Sequence, residues 1–252
     1  MAPVSNETSA DARSMAQLAG LLADGTRATF CLALLDGRAW TAGELARLAG
    51  VAPSTASAHL THLVGGGLLA EERQGRHRYV RLADPGVAEL IEDLAAYSPR
   101  VPVRPNSLRT ANATAALAWA RTCYDHLAGR LGVLLVDAMT DQGLLEAGWG
   151  LSDHGLRWFA DLGIDVAALR SPRRPLVRHC LDWTERRPHL AGAAGAALCR
   201  HFFDRGWVTR AGGQRRAVRV TESGRAALHD VLGVPVADLT PPTRSAGRGG
   251  RA

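Results

Sequence analysis

Two groups of side chains in this 252-residue chain have types and spacing that could do chemistry. The first is Ser54, Thr55, Ser57, His59, Thr61 and His62, followed by Arg73, Arg76, His77 and Arg78 around a glycine. Short hydrogen-bonding side chains let a helix approach base edges and phosphates closely. Arginine adds a planar donor fork that suits phosphate and guanine. Together they point to double-stranded DNA as a partner. The second group is Cys123, His126, Cys180 and His189. Thiolate and imidazole are the ligands of soft or borderline ions, zinc or another transition metal. His126 and His189 open two HLAG motifs 63 residues apart, so a twofold relation between two copies would let them converge. The cysteines break that symmetry, because the residue 63 beyond Cys123 is Arg186. Three readings stay open for this group: a Cys2His2 metal site, a thiol-based sensor, and histidines packed or capping beneath small A-G-x-x-G turns.

The elements that must position the first group are legible. Thr41 and Glu44 match a capping box, Leu45 and Leu48 supply an apolar face, and Gly50 is suited to end that helix. A second helix runs from about 53 to 64, with Ala56, Leu60 and Leu63 on one face and the polar residues elsewhere. Residues flanking Gln74-Gly75 are strand-like, and Gly75 permits a tight hairpin. Asp84 and Pro85 start a final helix, with Val87, Leu90, Ile91, Leu94 and Tyr97 at helical spacing. That stripe needs either the core or a second copy of the chain. The whole reads as a winged helix-turn-helix over residues 11–98.

The segments DGTR (24–27), ELARLAG (44–50), STASAHLTHL (54–63) and GLLAEERQGRHRYVRLAD (67–84) resemble the ArsR/SmtB family of bacterial repressors, over about residues 19–98. The resemblance implies a homodimer built on the first and last helices of the domain. It places helix 53–64 in the major groove of each half-site of an inverted-repeat operator, with DNA released when an effector binds. Three departures matter. Ala52 stands where a Ser or Thr cap is common. The helix ELARLAG lacks the cysteines of the family's best-known metal site. The final helix carries Glu89, Glu92 and Asp93 but no histidine, so a second family metal site is also missing. Cys31, within TFCLALL, reads as core.

Beyond a proline-rich linker (99–108), the C-terminal half repeats itself. HLAGRLG from His126 matches HLAGAAG from His189, and DQGLL (141–145) matches DRGWV (204–208). LSDHGLRWFADLGIDVAAL (151–169) matches VTESGRAALHDVLGVPVADL (220–239). Each copy reads as a helix, a turn into a strand pair, and a second helix, hence winged-helix-like. Cys123 and His126 are expected at i and i+3 on one helix face, and Asp182 or Thr184 is expected to cap the helix carrying His189. Trp119, Trp149 and Trp183 with Arg186 read either as an effector pocket for a small molecule or as core. The expected fold class is mainly α with small β-hairpins: an N-terminal winged helix-turn-helix plus a C-terminal α+β domain of two repeats (109–239). Residues 1–10 and the basic stretch 240–252 read as disordered tails.

Composition sets outer limits. The net charge is +6, and all 30 basic residues are arginine. This favours an anionic partner, although a GC-rich genome also replaces Lys by Arg throughout. Four cysteines make no disulfide framework, and no stretch is apolar for long enough to span a bilayer. A cytoplasmic protein with reduced thiols is expected. No nucleophile elbow, phosphate loop or paired metalloprotease histidines support an enzyme; a Cys nucleophile beside His rests on residue types alone. A non-specific architectural DNA binder is the remaining alternative to a sequence-specific regulator.

Overall fold

The computed structural model describes residues 6–75, 77–98, 107–171, 174–212 and 216–241. The chain divides into two compact units, residues 1–98 and 99–252.

The first unit runs α1 (Asn6–Leu22), α2 (Gly25–Leu34), β1 (Trp40–Thr41), α3 (Ala42–Ala49), α4 (Pro53–Gly65), β2 (Leu69–Gln74), β3 (His77–Leu82) and α5 (Pro85–Tyr97). Local chemistry sets most of these boundaries. Asp24 caps α2 by accepting from the Arg27 amide at 2.9 Å. The Thr41–Glu44 capping box is formed: the Glu44 amide donates to Thr41 Oγ1 and the Thr41 amide to Glu44 Oε2. Gly50 ends α3 in the left-handed region at φ 67°. Ala52 makes no side-chain cap, and Pro53 takes the first position of α4. Asp84 caps α5 through the Val87 amide at 3.0 Å. The strands form one antiparallel sheet in the order β1-β3-β2, with Gln74 opposite His77 at the tip. Phe30, Cys31, Leu45, Leu60, Leu63 and Val80 are fully buried and form the core. Cys31 is thus core, as expected, and burial pushes its thiol up to about 11. Because α1 begins at Asn6, residues 6–10 are helical and not the disordered tail expected there.

The second unit opens with α6 (Leu108–Trp119) and then shows one pattern twice. The first copy is β4 (Arg121–Cys123), β5 (His126–Ala128), α7 (Arg130–Asp141), an isolated bridge between Leu145 and Leu151, α8 (Asp153–Asp161) and α9 (Val166–Leu169). The second is β6 (Arg178–Leu181), β7 (Pro188–Ala191), α10 (Gly192–Asp204), the hairpin β8 (Val208–Arg210) with β9 (Val218–Val220), α11 (Glu222–Leu232) and a 3-10 turn at Val236–Leu239. The helix, strand pair and second helix expected for each copy are preceded by a hairpin that the sequence reading placed on helices. The strand pair is a hairpin in the second copy but a single bridge in the first.

The two copies use the same local devices. Ser152 caps α8 from the Gly155 amide and donates to the Gly143 carbonyl. Thr221 caps α11 from the Gly224 amide and donates to the Gly206 carbonyl. An apolar core that includes Leu131, Met139, Phe159, Leu198, Phe202 and Leu228 draws on both copies. Among the described residues no helix is long and apolar enough to cross a membrane.

Candidate nucleic-acid interface and buried cysteine-histidine cluster

In the first unit, α4 buries Ala56, Leu60 and Leu63 and leaves Ser54, Thr55, Ser57, Thr61 and His62 exposed. His59 departs from this set. It is half-buried, lies edge-on to Phe30 with ring centroids 6.5 Å apart, and approaches Asp24 at 3.8 Å. Its position one turn before Leu63 rotates it toward α2 and away from the polar face. The β2–β3 wing is tied to α4. Arg78 ion-pairs with Glu71 on the facing strand and reaches Thr61 Oγ1 at 3.5 Å. Arg73 is exposed and stands 3.8 Å from Glu71. Arg76 lies outside the described residues, as does the side chain of His77.

In the second unit the four Cys and His residues come together, by a route the sequence reading had wrong. Cys123 and His126 are not on a helix. Two residues, Tyr124 and Asp125, turn the chain between them, Tyr124 at φ 51°, so Cys123 sits directly opposite His126 in the β4–β5 register. Cys180 sits opposite His189 in the same way across β6–β7. The cysteines are therefore equivalent by sheet register although not by the 63-residue offset. Eight residues, 181–188, separate Cys180 from His189, against two between Cys123 and His126, and this difference of six displaces Cys180 along the sequence. The expected cap on a helix carrying His189 is likewise replaced. Asp182 folds that loop, accepting from the Thr184 and Glu185 amides and the Thr184 hydroxyl.

One ligand atom from each of Cys123, His126, Cys180 and His189 lies within 4.8 Å of the others, and all four residues are buried. The histidine Nε2 atoms face each other at 3.1 Å with the rings stacked. On the far side of each ring, Nδ1 faces a carboxylate: Asp125 at 3.5 Å from His126 and Asp182 at 3.6 Å from His189. Both separations are ion-pair distances. The glycines of the two motifs make room. A Cβ on Gly132 would stand 3.3 Å from the His189 Cβ and 2.6 Å from the Leu127 carbonyl; one on Gly195 would stand 3.4 Å from the His126 Cβ and 2.6 Å from the Leu190 carbonyl. The contact is reciprocal, as a pseudo-twofold pairing requires.

A polar network that the sequence reading missed surrounds the cluster. Arg121 is fully buried and donates to Asp182 at 2.8 Å, to the Thr184 hydroxyl and to the Leu117 carbonyl, with Trp183 stacked 4.5 Å from its guanidinium. The Gly129 amide also donates to Asp182, at 2.6 Å. Asp125 is held by both terminal nitrogens of Arg174. Burial opposes ionisation of Asp182, but Arg121, Thr184 and the two backbone amides outweigh it and hold the carboxyl at about 2. Burial, with His126 beside it, drives His189 well below the ordinary imidazole range, which favours the neutral ring. The Cys123 thiol is pushed up to about 12 by its hydrogen bond with Cys180 and then by burial. A signal for the network was present: R-x-C-x-D occurs at Arg121-Cys123-Asp125 and again at Arg178-Cys180-Asp182.

Among the described residues, the four expected to line an effector pocket fall in different surroundings. Trp119 lines a cavity of about 590 Å³ with Asn112, Arg130, Glu185 and Arg219. Trp149 lines a different hollow beside Arg187 and Pro188. Trp183 covers Arg121, and Arg186 is an exposed left-handed turn residue at φ 58°.

Residues 22–72 match the family described as a helix-turn-helix domain. The chain is 41% identical over 226 residues to the uncharacterized HTH-type transcriptional regulator YdfF of Bacillus subtilis, covering 88% of this chain and 99% of that one. This chain belongs to the helix-turn-helix transcriptional regulators. The match to YdfF is longer than either unit, so it includes residues of both. A shorter match, 38% identical over 81 residues, is to the HTH-type transcriptional regulator CmtR of Mycobacterium tuberculosis, with 32% of this chain and 68% of that one covered. A solved structure from Mycobacterium bovis is 33% identical over 36% of this chain and 83% of its own, with a TM-score of 0.32. It is described as the homodimeric winged helix-turn-helix DNA-binding domain of a possible ArsR-family regulator. The HTH regulator is a DNA-binding transcription factor with a winged reading head, and not an enzyme.

Proposed function

We propose that this regulator is a repressor that binds an inverted-repeat operator as a homodimer and releases it when an effector engages the C-terminal unit. The observation that carries the reading is the exposed row Ser54, Thr55, Ser57, Thr61 and His62 on α4, linked to an arginine-bearing wing through Arg78. Such a helix enters the major groove, while the wing contacts the phosphate backbone. Dimerisation is supported by large apolar side chains left in solvent on the helices outside the reading head: Met15 on α1, Leu32 on α2, and Leu94 and Tyr97 on α5. Leu32 and Leu94 line the same hollow, and clustered exposed apolar surface of that kind supports a partner surface. The cavity beside Trp119, with Arg130, Arg219 and Glu185 on its rim, suits a small effector that is largely apolar with a polar end.

The test is selection from a random duplex pool by the full chain. Enrichment of a palindromic site whose half-sites lie about one helical turn apart is the expected outcome. Failure to enrich any sequence, with salt-sensitive binding to all duplexes, would leave the architectural reading in its place.

A further inference from the structure

The geometry points to a closed, four-coordinate metal centre of the zinc class, formed by Cys123, His126, Cys180 and His189 where the two C-terminal repeats meet. This inference is independent of the DNA-binding reading. It concerns residues 121–195 only and stands whether or not an operator is found.

Four observations converge on it. The first is the donor set. Two thiols and two imidazoles come together, with their ligand atoms within 4.8 Å of one another. Metal–nitrogen bonds of about 2.0–2.1 Å at tetrahedral angles put two imidazole nitrogens about 3.3–3.4 Å apart. The Nε2 atoms stand at 3.1 Å.

The second is the protonation that the surroundings favour. Each Nδ1 faces a carboxylate, which favours the tautomer with its proton on Nδ1. Both Nε2 atoms then present lone pairs to each other. Two lone pairs at that distance repel unless a cation lies between them. A carboxylate behind a ligating imidazole is also the usual outer support of a zinc-bound histidine.

The third is enclosure. The four residues are between 0% and 4% exposed, so the site has no open position for substrate or water. Four protein ligands without an opening describe a structural site and not a catalytic one.

The fourth is duplication. Each hairpin contributes one Cys and one His as a register pair, and each histidine is backed by a glycine of the other copy. One ion would thereby join the two repeats, and its binding energy would be folding energy for the C-terminal unit. Asp125 and Asp182 act as positioning residues; Asp182 also receives Arg121 and Gly129, which ties the ligand shell to the surrounding core.

The experiment uses the full chain, purified with reductant and without chelator. Elemental mass spectrometry is expected to find zinc close to one ion per chain. After chelation, titration with cobalt(II) should produce the visible absorption of a tetrahedral site with two sulfur and two nitrogen ligands, and zinc should displace it. Cys180→Ser and His189→Ala should lose the ion, whereas Cys199→Ser should keep it, since Cys199 is buried in the same unit outside the cluster. If the ligand variants do not fold, the cobalt titration of the unaltered chain still decides the matter. Asp125→Asn should retain the cobalt spectrum while weakening zinc binding about 10- to 100-fold. The proposal is overturned if the reduced chain carries no metal and yields no tetrahedral cobalt spectrum. It is overturned equally if Cys199→Ser loses metal as fully as Cys180→Ser, or if the isolated chain proves to hold a Cys123–Cys180 disulfide that binds no ion.

Discussion

Ser57 and Arg73 are both exposed and polar, yet they should fail differently when replaced. Ser57 sits on the face of α4 that has no role in the core, and its hydroxyl is short enough to meet a base edge. Ser57→Ala should change preference at one or two base positions of the selected operator while leaving affinity for random duplex nearly unaltered. Arg73 lies on the wing with a side chain 77% exposed, suited to phosphate. Arg73→Ala should weaken binding to all duplexes alike and lower the slope of log affinity against log salt by about 1. Titrations on cognate and random duplexes over a salt series check both. Equal losses for Ser57→Ala on the two duplexes would remove it from base reading. At this scale the sequence was a partial guide. Exposure of Ser54, Thr55 and Thr61 followed from helical spacing, but His59 shares that polarity and turns toward Phe30 and Asp24. Periodicity assigns a residue to a sector of the helix; the neighbouring helix decides whether a residue at the sector's edge is covered.

At the scale of elements, two glycines with the same composition signal have opposite consequences. Gly43 lies in α3 with open space around the position of a Cβ. Gly43→Ala should stabilise the chain by about 0.5–1 kcal/mol, because alanine loses less backbone entropy in a helix. Gly195 lies in α10, where a Cβ would stand 2.6 Å from the Leu190 carbonyl. Gly195→Ala should cost about 1–3 kcal/mol as overpacking, and it presses directly on the His126 backing. Urea denaturation of the two variants checks the sign of each. The starts of α3 and α5 were legible at this scale because caps are local: Thr41 and Asp84 each accept from an amide three residues on, and Asp24, Ser152 and Thr221, not singled out from the sequence, do the same. The hairpins β4–β5 and β6–β7 were not. Three-residue strands carry too few positions for a period of two to show, and Cys123-x-x-His126 reads equally as one turn of helix or as two residues flanking a tight turn.

For the whole molecule, the exposed apolar side chains of the first unit make a prediction about assembly. Leu94 is 47% exposed beside a groove of about 360 Å³ that Leu22, Leu32 and Ile91 also line. Leu94→Glu should shift the chain from dimer to monomer in sedimentation without loss of helical signal. It should also reduce affinity for a palindromic operator much more than for an isolated half-site. A variant that stays dimeric with full operator affinity would place the partner surface elsewhere.

The division between sequence and tertiary structure follows the range of the forces involved. Caps, helical stripes, the wing turn and the paired HLAG motifs act over a few residues, so the sequence alone determined the reading head, the duplication and the equivalence of the two histidines. The offset of 63 residues allowed His126 and His189 to converge if the copies are related by a twofold, and their Nε2 atoms face each other. Only the tertiary structure decided that the cysteines join them on equal terms. A cross-strand partner is set by the length of the intervening segment, and six more residues separate Cys180 from His189 than Cys123 from His126. It also decided that Arg121 and Asp182 stand together, 61 residues apart in the chain, because a buried charge is placed by the partner available in the core and not by its neighbours in sequence.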